Sequence, residues 1–561
     1  MTVTAGDDAA VLSAPAGDSG DSGDPGDRTV RARRIDWRFV LADPTPGRVA
    51  WFGPADEAAT AALVEAGWHA VDPVDPASSD RVDLAVVTVA TPDHLAAAAR
   101  AVCPGGSVYV RIDPPLRRLG PSRRGRTLAP ASVRRRLTAA GLTGIRAHAH
   151  VPSETRRSAI VPLDDSRALQ RLLAQHGGLV ASRPARVLAE RLRRTGWLAR
   201  LAPAVSVVGR RLADHTGAEQ GHDRDAISIH LDATLPTPGE PRPAPLLLTP
   251  SFRASRHVVA LVPARDGRSI ATVVKVARVA DSGAVTEREA AVLRALEGTE
   301  PMVRETAPAC LAVGRPWGLP TLIESGLAGV ALDPATVRRD PAATLDLVLP
   351  WLIALVPTRT DPSPAAERLE RLLDDALEGF AASFQPSPDE ARRIERTRAI
   401  ADSLRDVHLP VAIEHGDVSH PNLLIDAEGR LAAVDWELGE PAGVPAHDLF
   451  GFLGYVAIAR ARADGAAAQG EALRSALLVE DGWTWPAAEC YARAIALDPA
   501  RLPALAVLSW ARRTIGLVER LYDGRPTTLA PQTLAWIRDH RVTAAWAAAV
   551  ERHERGQRAR P

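Results

Sequence analysis

The chain has 561 residues, 46% of them hydrophobic, and its 68 Lys and Arg equal its 68 Asp and Glu. That length exceeds what one core serves, so two to four domains are expected. Zero net charge argues against a nucleic-acid binder, which would carry a basic domain.

Residues 1–29 contain the run AGDSGDSGDPGD, too poor in apolar side chains to offset ordering, and read as a disordered acidic tail. No signal peptide is expected at MTVTAGDDAA, and three scattered cysteines (Cys103, Cys310, Cys490) fit a reducing, cytoplasmic setting. From 46 to 165, short apolar runs alternate with helical ones. RVAWFG, HAVDPV, VDLAVVTVA and GGSVYVRI read as strands, with helices at Glu57–Gly67, His94–Val102 and Ala131–Gly141 between or after them. IRAHAHVPS and SAIVPLD read as a closing pair. Strands alternating with helices imply a parallel sheet covered on both faces.

This order of elements, the CPGGSVYVRI entry and the VPSETRRSAIVPLD ending resemble a class I methyltransferase-like Rossmann domain, here in degenerate form. The resemblance implies a nucleoside-methionine loop at Trp51-Phe52-Gly53-Pro54-Ala55-Asp56, and one glycine with a proline departs from the glycine-rich pattern. Asp72 or Asp75 would be the ribose-binding acid, or each is simply a turn residue. A structural or anchoring domain, 30–215, is therefore expected. Arginines between Arg117 and Arg136 read as a solvated loop leading into a helix, and 166–215 as amphipathic helices trailing the domain. The proline cluster PTPGEPRPAP marks 216–243 as a linker.

Beyond it, PLLLTPSF, HVVALVPA and SIATVVKVA read as three antiparallel strands, followed by the helix TEREAAVLRALEG with Thr286 and Glu289 at capping-box spacing. Lys275 stands where a cation holds the first phosphates of ATP, and Glu289 where an acid orients it. Alternatively Lys275 is an ordinary edge-strand lysine and Glu289 serves only its cap. Ser251 and Ser255 fall in the glycine-free turn that would cover the phosphates, and Glu324 and Ser325 in a hinge whose backbone would bind adenine. Leu347–Val356 is apolar, but it is interrupted by Pro350 and too short to span a bilayer, so no integral membrane association is expected.

The segment AIEHGDVSHPNLLIDAEGRLAAVDWELGEPAGVPAHDLFGF carries Asp417 and Asn422 with four residues between them, the spacing of a phosphoryl-transfer loop. Asp417 would accept the hydroxyl proton. Asn422 and Asp435, brought together by a hairpin, would offer oxygen ligands to Mg2+. HGDxxxxN followed by VDWE and P-x-x-D-L resembles the aminoglycoside phosphotransferase and choline kinase family over about residues 245–545. That resemblance implies a bilobal fold and transfer of the ATP γ-phosphoryl to a small-molecule hydroxyl, with Asp448 bracing the loop and helices building the acceptor pocket. The expectation is an α/β N-terminal Rossmann-like domain plus an α+β bilobal protein-kinase-like domain. The latter has an N-lobe at 244–330, a helical C-lobe at 331–550 and a tail at 551–561. The acceptor would be an aminoglycoside, an amino alcohol, or a sugar or glycan intermediate. Two other readings stand beside it: a nucleotide-binding scaffold without turnover, and a bifunctional methyltransferase–kinase.

Overall fold

The computed structural model describes residues 25–71, 81–112, 128–151, 159–164, 204–212, 224–235, 242–250, 255–265, 269–357, 365–479, 481–521 and 528–558. Most of the expected acidic tail, the arginines from Arg117 to Arg126, Asp72, Asp75 and Ser251 lie outside them. Within the expected tails, Pro25–Ala32 is helical and the last helix runs on to Arg558.

Twelve strands form one sheet: β1 (Arg48–Phe52), β2 (His69–Val71), β3 (Val82–Val87), β4 (Val102–Ile112), β5 (Leu142–Val151), β6 (Ala159–Pro162), β7 (Val205–Arg211), β8 (Leu246–Leu248), β9 (His257–Pro263), β10 (Ile270–Ala277), β11 (Cys310–Gly314) and β12 (Thr321–Ser325). Their order is β11-β12-β10-β9-β8-β6-β5-β7-β4-β3-β1-β2. Strands β2, β1, β3 and β4 pair in parallel. Helices α1 (Glu57–Glu65) and α2 (Pro92–Ala101) provide crossovers, and α3 (Pro130–Ala139) leads into β5. The apolar run of β3 suits a strand covered on both sides. Every other pairing in the sheet is antiparallel.

One expectation is corrected here: 205–211, read as part of amphipathic helices, is strand β7, inserted between β4 and β5. The β-branched residues of VSVV are buried without a break, so period and propensity both favour a strand. The segment 216–243, read as a linker, contains helix α4 (Ala226–Thr234), and the sheet crosses it through the β6–β8 pair. Both apolar cores follow the sheet. One joins Val87, Val108 and Ala147 to Leu246 and Leu261, and the other joins Trp51 and Tyr109 to Val258 and Val274.

The N-terminal segment also reaches the second half directly. Asp36 sits in a 3-10 stretch, Arg33–Val40, and accepts from Nε and Nη2 of Arg278 at 2.9–3.1 Å, with both side chains buried. A third core belongs to the helical half, whose long helices include α6 (Pro341–Ala354), α7 (Pro388–Arg405), α8 (His447–Ala461), α9 (Leu502–Leu521) and α10 (Arg541–Arg558). Helix α5 (Gly283–Glu297) bridges sheet and helices through Ala290, Val292 and Leu293. It starts at Gly283, so the capping box expected from Thr286 and Glu289 does not form. Instead Thr286 Oγ1 lies 3.2 Å from His257 Nε2, and Glu289 is in the second turn. Five short strands complete the site region: β13 (Val330–Ala331), β14 (Ala412–Glu414), β15 (Leu423–Ile425), β16 (Leu431–Ala433) and β17 (Glu440–Gly443).

Candidate active site

Side chains on a strand alternate between faces, so Lys275 shares a face with Val273, and the residue opposite Val273 on β12 is Glu324. The register thus brings a carboxylate diagonally against Lys275. Its Nζ lies 3.6 Å from Glu324 Oε1, 2.5 Å from Glu289 Oε1 on α5, and 3.2 Å from Asp435 Oδ1 at the end of β16. Glu289 Oε1 also accepts the Trp436 N–H at 3.0 Å, tying α5 to the strand end that presents Asp435. Burial opposes charge on Lys275, but Glu289, Glu324 and Asp435 outweigh it and hold the ammonium well above its ordinary pKa. Burial pushes Glu324 up to about 8, against the pull of Lys275 and with Glu289 and Asp435 adding to the rise. Asp435 is lowered in spite of burial because Lys275 faces it. Oε2 of both Glu289 and Glu324 is buried without a hydrogen-bond partner.

The loop from His415 to Asn422 is fixed from beneath. Asp448, in the first turn of α8, accepts from the backbone N–H of His415 at 2.5 Å and of Gly416 at 3.0 Å. Gly416 has φ +85°, and a Cβ there would collide with the Leu438 carbonyl, so only glycine lets the chain turn. His415 is buried, its Nε2 3.0 Å from the Val434 carbonyl and its ring 4.4 Å from that of Trp436. Asp417 is left half-buried: Ser419 Oγ donates to its Oδ1 at 2.9 Å, and Arg520 Nη2 is 3.8 Å from its Oδ2. Asn422 Nδ2 donates to the Asp417 carbonyl at 3.2 Å, which commits the amine side of the amide and leaves its oxygen as a donor atom. The Val434 N–H donates to the Asn422 carbonyl at 2.9 Å, placing Asn422 against the residue that precedes Asp435. Asp435 itself has φ +69°, a left-handed conformation that few non-glycine residues adopt.

Among the described residues, no three His, Cys, Asp or Glu side chains group as a metal cage. One carboxylate and one amide oxygen, Asp435 and Asn422, suit a hard cation that keeps water and phosphate oxygens as its other ligands. Lys275, Glu289, Glu324 and Asp435 therefore come together, with Asp417 and Asn422 on the adjoining loop. Ser255 and Ser325 do not join them. The Ser255 carbonyl and hydroxyl accept from Arg278 Nη1 at 2.7 and 2.8 Å, and Ser325 Oγ accepts the Ala309 N–H at 2.9 Å.

Sequence reasoning overlooked the arginines beneath the loop. Arg512 forms a two-pronged pair with Glu414, 2.7 Å at each prong, and Arg513 donates to the His447 carbonyl at 3.0 Å. The run ARRTIGLVER was a visible signal, since Arg513 and Arg520 fall seven apart on α9. Two tryptophans of the helical half, Trp485 and Trp510, are buried. The Trp485 indole N–H donates to Leu477 and its ring lies under Arg552, whereas Trp510 Nε1 is buried without a partner.

Lys275, Glu289 and Asp435 thus face a loop that Asp448 braces. Residues 211–491, half of the chain, match the phosphotransferase enzyme family (APH), and the chain belongs to that family. It is similar to the choline kinase LicA from Streptococcus pneumoniae, with 13% identity, 57% of this chain and 98% of that chain covered, and a TM-score of 0.35. For an ethanolamine kinase from Plasmodium vivax the values are 12%, 52%, 80% and 0.36. For a thermostable mutant of aminoglycoside phosphotransferase APH(4)-Ia they are 15%, 55%, 94% and 0.35. No curated protein matches the chain. Among the described residues no helix is long and apolar enough to cross a membrane.

Proposed function

We propose that the protein is an ATP-dependent small-molecule kinase that moves the γ-phosphoryl group to a hydroxyl. The observation that carries this reading is the linkage of Lys275, Glu289 and Asp435 beside a loop whose backbone Asp448 holds. In this reading the Asp417 carboxylate takes the acceptor's hydroxyl proton. The oxygen then attacks the γ-phosphorus, the bond to the β–γ bridging oxygen breaks, and ADP leaves. Lys275 holds the non-transferred phosphates, Glu289 fixes Lys275, and the hinge backbone near Glu324 and Ser325 receives adenine. Asn422 and Asp435 would hold Mg2+, which neutralises charge on the phosphates when bound.

Transfer of labelled phosphate from ATP to a panel of hydroxyl compounds by the full chain, with Asp417→Ala as control, tests it. Turnover lowered by the substitution roughly 10²–10⁴-fold is expected. ATP binding with no transfer, or transfer indifferent to Asp417, would overturn it. One observation favours a second reading, a nucleotide-binding scaffold without turnover: Lys275 already faces a third carboxylate, Glu324.

For the N-terminal half we infer a degenerate Rossmann-like, methyltransferase-like unit. Its support is the parallel order β2-β1-β3-β4 with helical crossovers. Equilibrium titration of the full chain with S-adenosylmethionine separates the readings, since binding would restore the bifunctional alternative.

A further inference from the structure

A cavity of about 630 Å³ opens beside the loop at Asp417 and Ser419, and Lys275, Glu289, Glu324, Asn422 and Asp435 take no part in its wall. This is where an acceptor would lie. Among the described residues its wall holds the arginines 288, 371, 512, 513, 520 and 541 against three acids, Asp417, Glu440 and Glu519. Two of the arginines are neutralised, Arg371 by Glu440 at 2.7 Å and Arg512 by Glu414. Others are not. Arg288 is exposed and makes no hydrogen bond or ion pair with a described residue. The nearest carboxylate to Arg513 is Asp448 at 3.9 Å, already committed to two loop N–H groups. The nearest to Arg520 is Asp417 itself, at 3.8 Å.

The wall is also shaped around these groups. Arg513 and Arg520, seven apart, share one face of α9 with Gly516 between them, and no atom lies within 4 Å of where a Gly516 Cβ would stand. On α8, a Cβ at Gly451 would collide with the Arg513 guanidinium, so glycine there makes its berth. Three polar atoms of the wall are buried without partners: Arg513 Nε, Trp510 Nε1 and His447 Nδ1. Burial, then Arg512, Arg513 and Arg520, push His447 well below its ordinary pKa, which keeps it neutral in a cationic field.

We infer that the acceptor carries an anionic group, a phosphate or a carboxylate, held by Arg513 and Arg520 across the gap at Gly516 while its hydroxyl faces Asp417. Guanidinium groups match both anions with paired N–H donors, whereas an amino alcohol or aminoglycoside would bring like charge to this wall. The assignment rests on the kinase reading for its hydroxyl and on the cavity alone for its charge.

Calorimetric titration of the full chain with inorganic phosphate, glucose 6-phosphate, glucuronate, glucose and glucosamine tests it, alongside labelled-phosphate transfer from ATP to the four sugars. At least one anionic probe is expected to bind tenfold or more tightly than glucose and glucosamine. Arg520→Gln should weaken that binding at least tenfold and Lys275→Gln should not, which excludes capture at the nucleotide phosphates. Arg520 is one-third exposed, so its variant should fold, and Arg288→Gln gives a second surface variant expected to weaken the same probes. Failure of every anionic probe to bind, preference for glucosamine or glucose, or binding indifferent to Arg520 would overturn the inference. Arg520-dependent anion binding without any phosphoryl transfer would instead sink the kinase reading and leave the cavity assignment standing. Transfer to glucosamine alone would do the reverse.

Discussion

Lys275 and the three carboxylates around it form a cluster whose energy turns on where one proton sits. Burial raises Glu324 from the ordinary 4.5 to about 8, so the folded protein keeps a proton that the unfolded chain releases. Stability from this group is fully present below about 4.5 and is lost as pH rises through about 8. Glu324→Gln carries a permanently neutral amide and cannot lose that contribution. The melting temperature of the native protein should therefore fall relative to Glu324→Gln across this window. A difference that stays constant with pH would show that Glu324 does not titrate there. Asp417 poses a different question, because it is half-buried and makes few contacts. Asp417→Ala should leave thermal unfolding nearly unchanged and lower the phosphoryl-transfer rate by roughly 10²–10⁴-fold, the range for loss of a general base.

At the scale of single elements, the loop 415–422 depends on its support from α8. Asp448→Ala would leave the buried N–H groups of His415 and Gly416 without an acceptor, each worth about 1–3 kcal/mol. Chemical denaturation should show a loss of that order, and turnover should fall with it. Asp448→Asn, which keeps one acceptor oxygen, should recover part of both. This loop was legible in the sequence because its information is local: the HGD turn, the fixed spacing to Asn422 and the hairpin that delivers Asp435 are all encoded within a few tens of residues. The strands read well for the same reason, through runs such as VDLAVV and IATVVKVA. What stayed hidden needed pairing between distant segments. Glu324 meets Lys275 only through the β10–β12 register, and Arg513 meets Asp448 and Arg520 meets Asp417 only once α9 packs under the loop. Strand β7 was hidden because its three valines follow a long stretch rich in Arg and Leu, whose helical pattern masked a change of period.

The whole molecule is organised by one sheet rather than by two sheets joined through a linker. Asp36 and Arg278 clamp the N-terminal segment to that sheet as a buried pair, and Asp36→Ala would strand the guanidinium without its charge partner. A loss of about 3–5 kcal/mol is expected, measurable by equilibrium denaturation of the full chain, with Asp36→Asn less costly. Cutting the chain at residue 243 would strip β6 from β8 and leave an apolar strand, LLL, as an open edge. Such edges recruit other chains, so the 244–561 fragment should aggregate where the full protein stays dispersed, as size-exclusion chromatography would show.

The continuity of the sheet also bears on how reactants get in. The part of the sheet that carries Lys275 is not a small cap free to nod on a hinge. It is one end of a plate twelve strands wide, stiffened on both faces by apolar packing. Any opening between Lys275 and Asp417 would therefore swing the helical half, with its arginine-lined wall, against the whole sheet. Admission and release of reactants then become the work of the acceptor side.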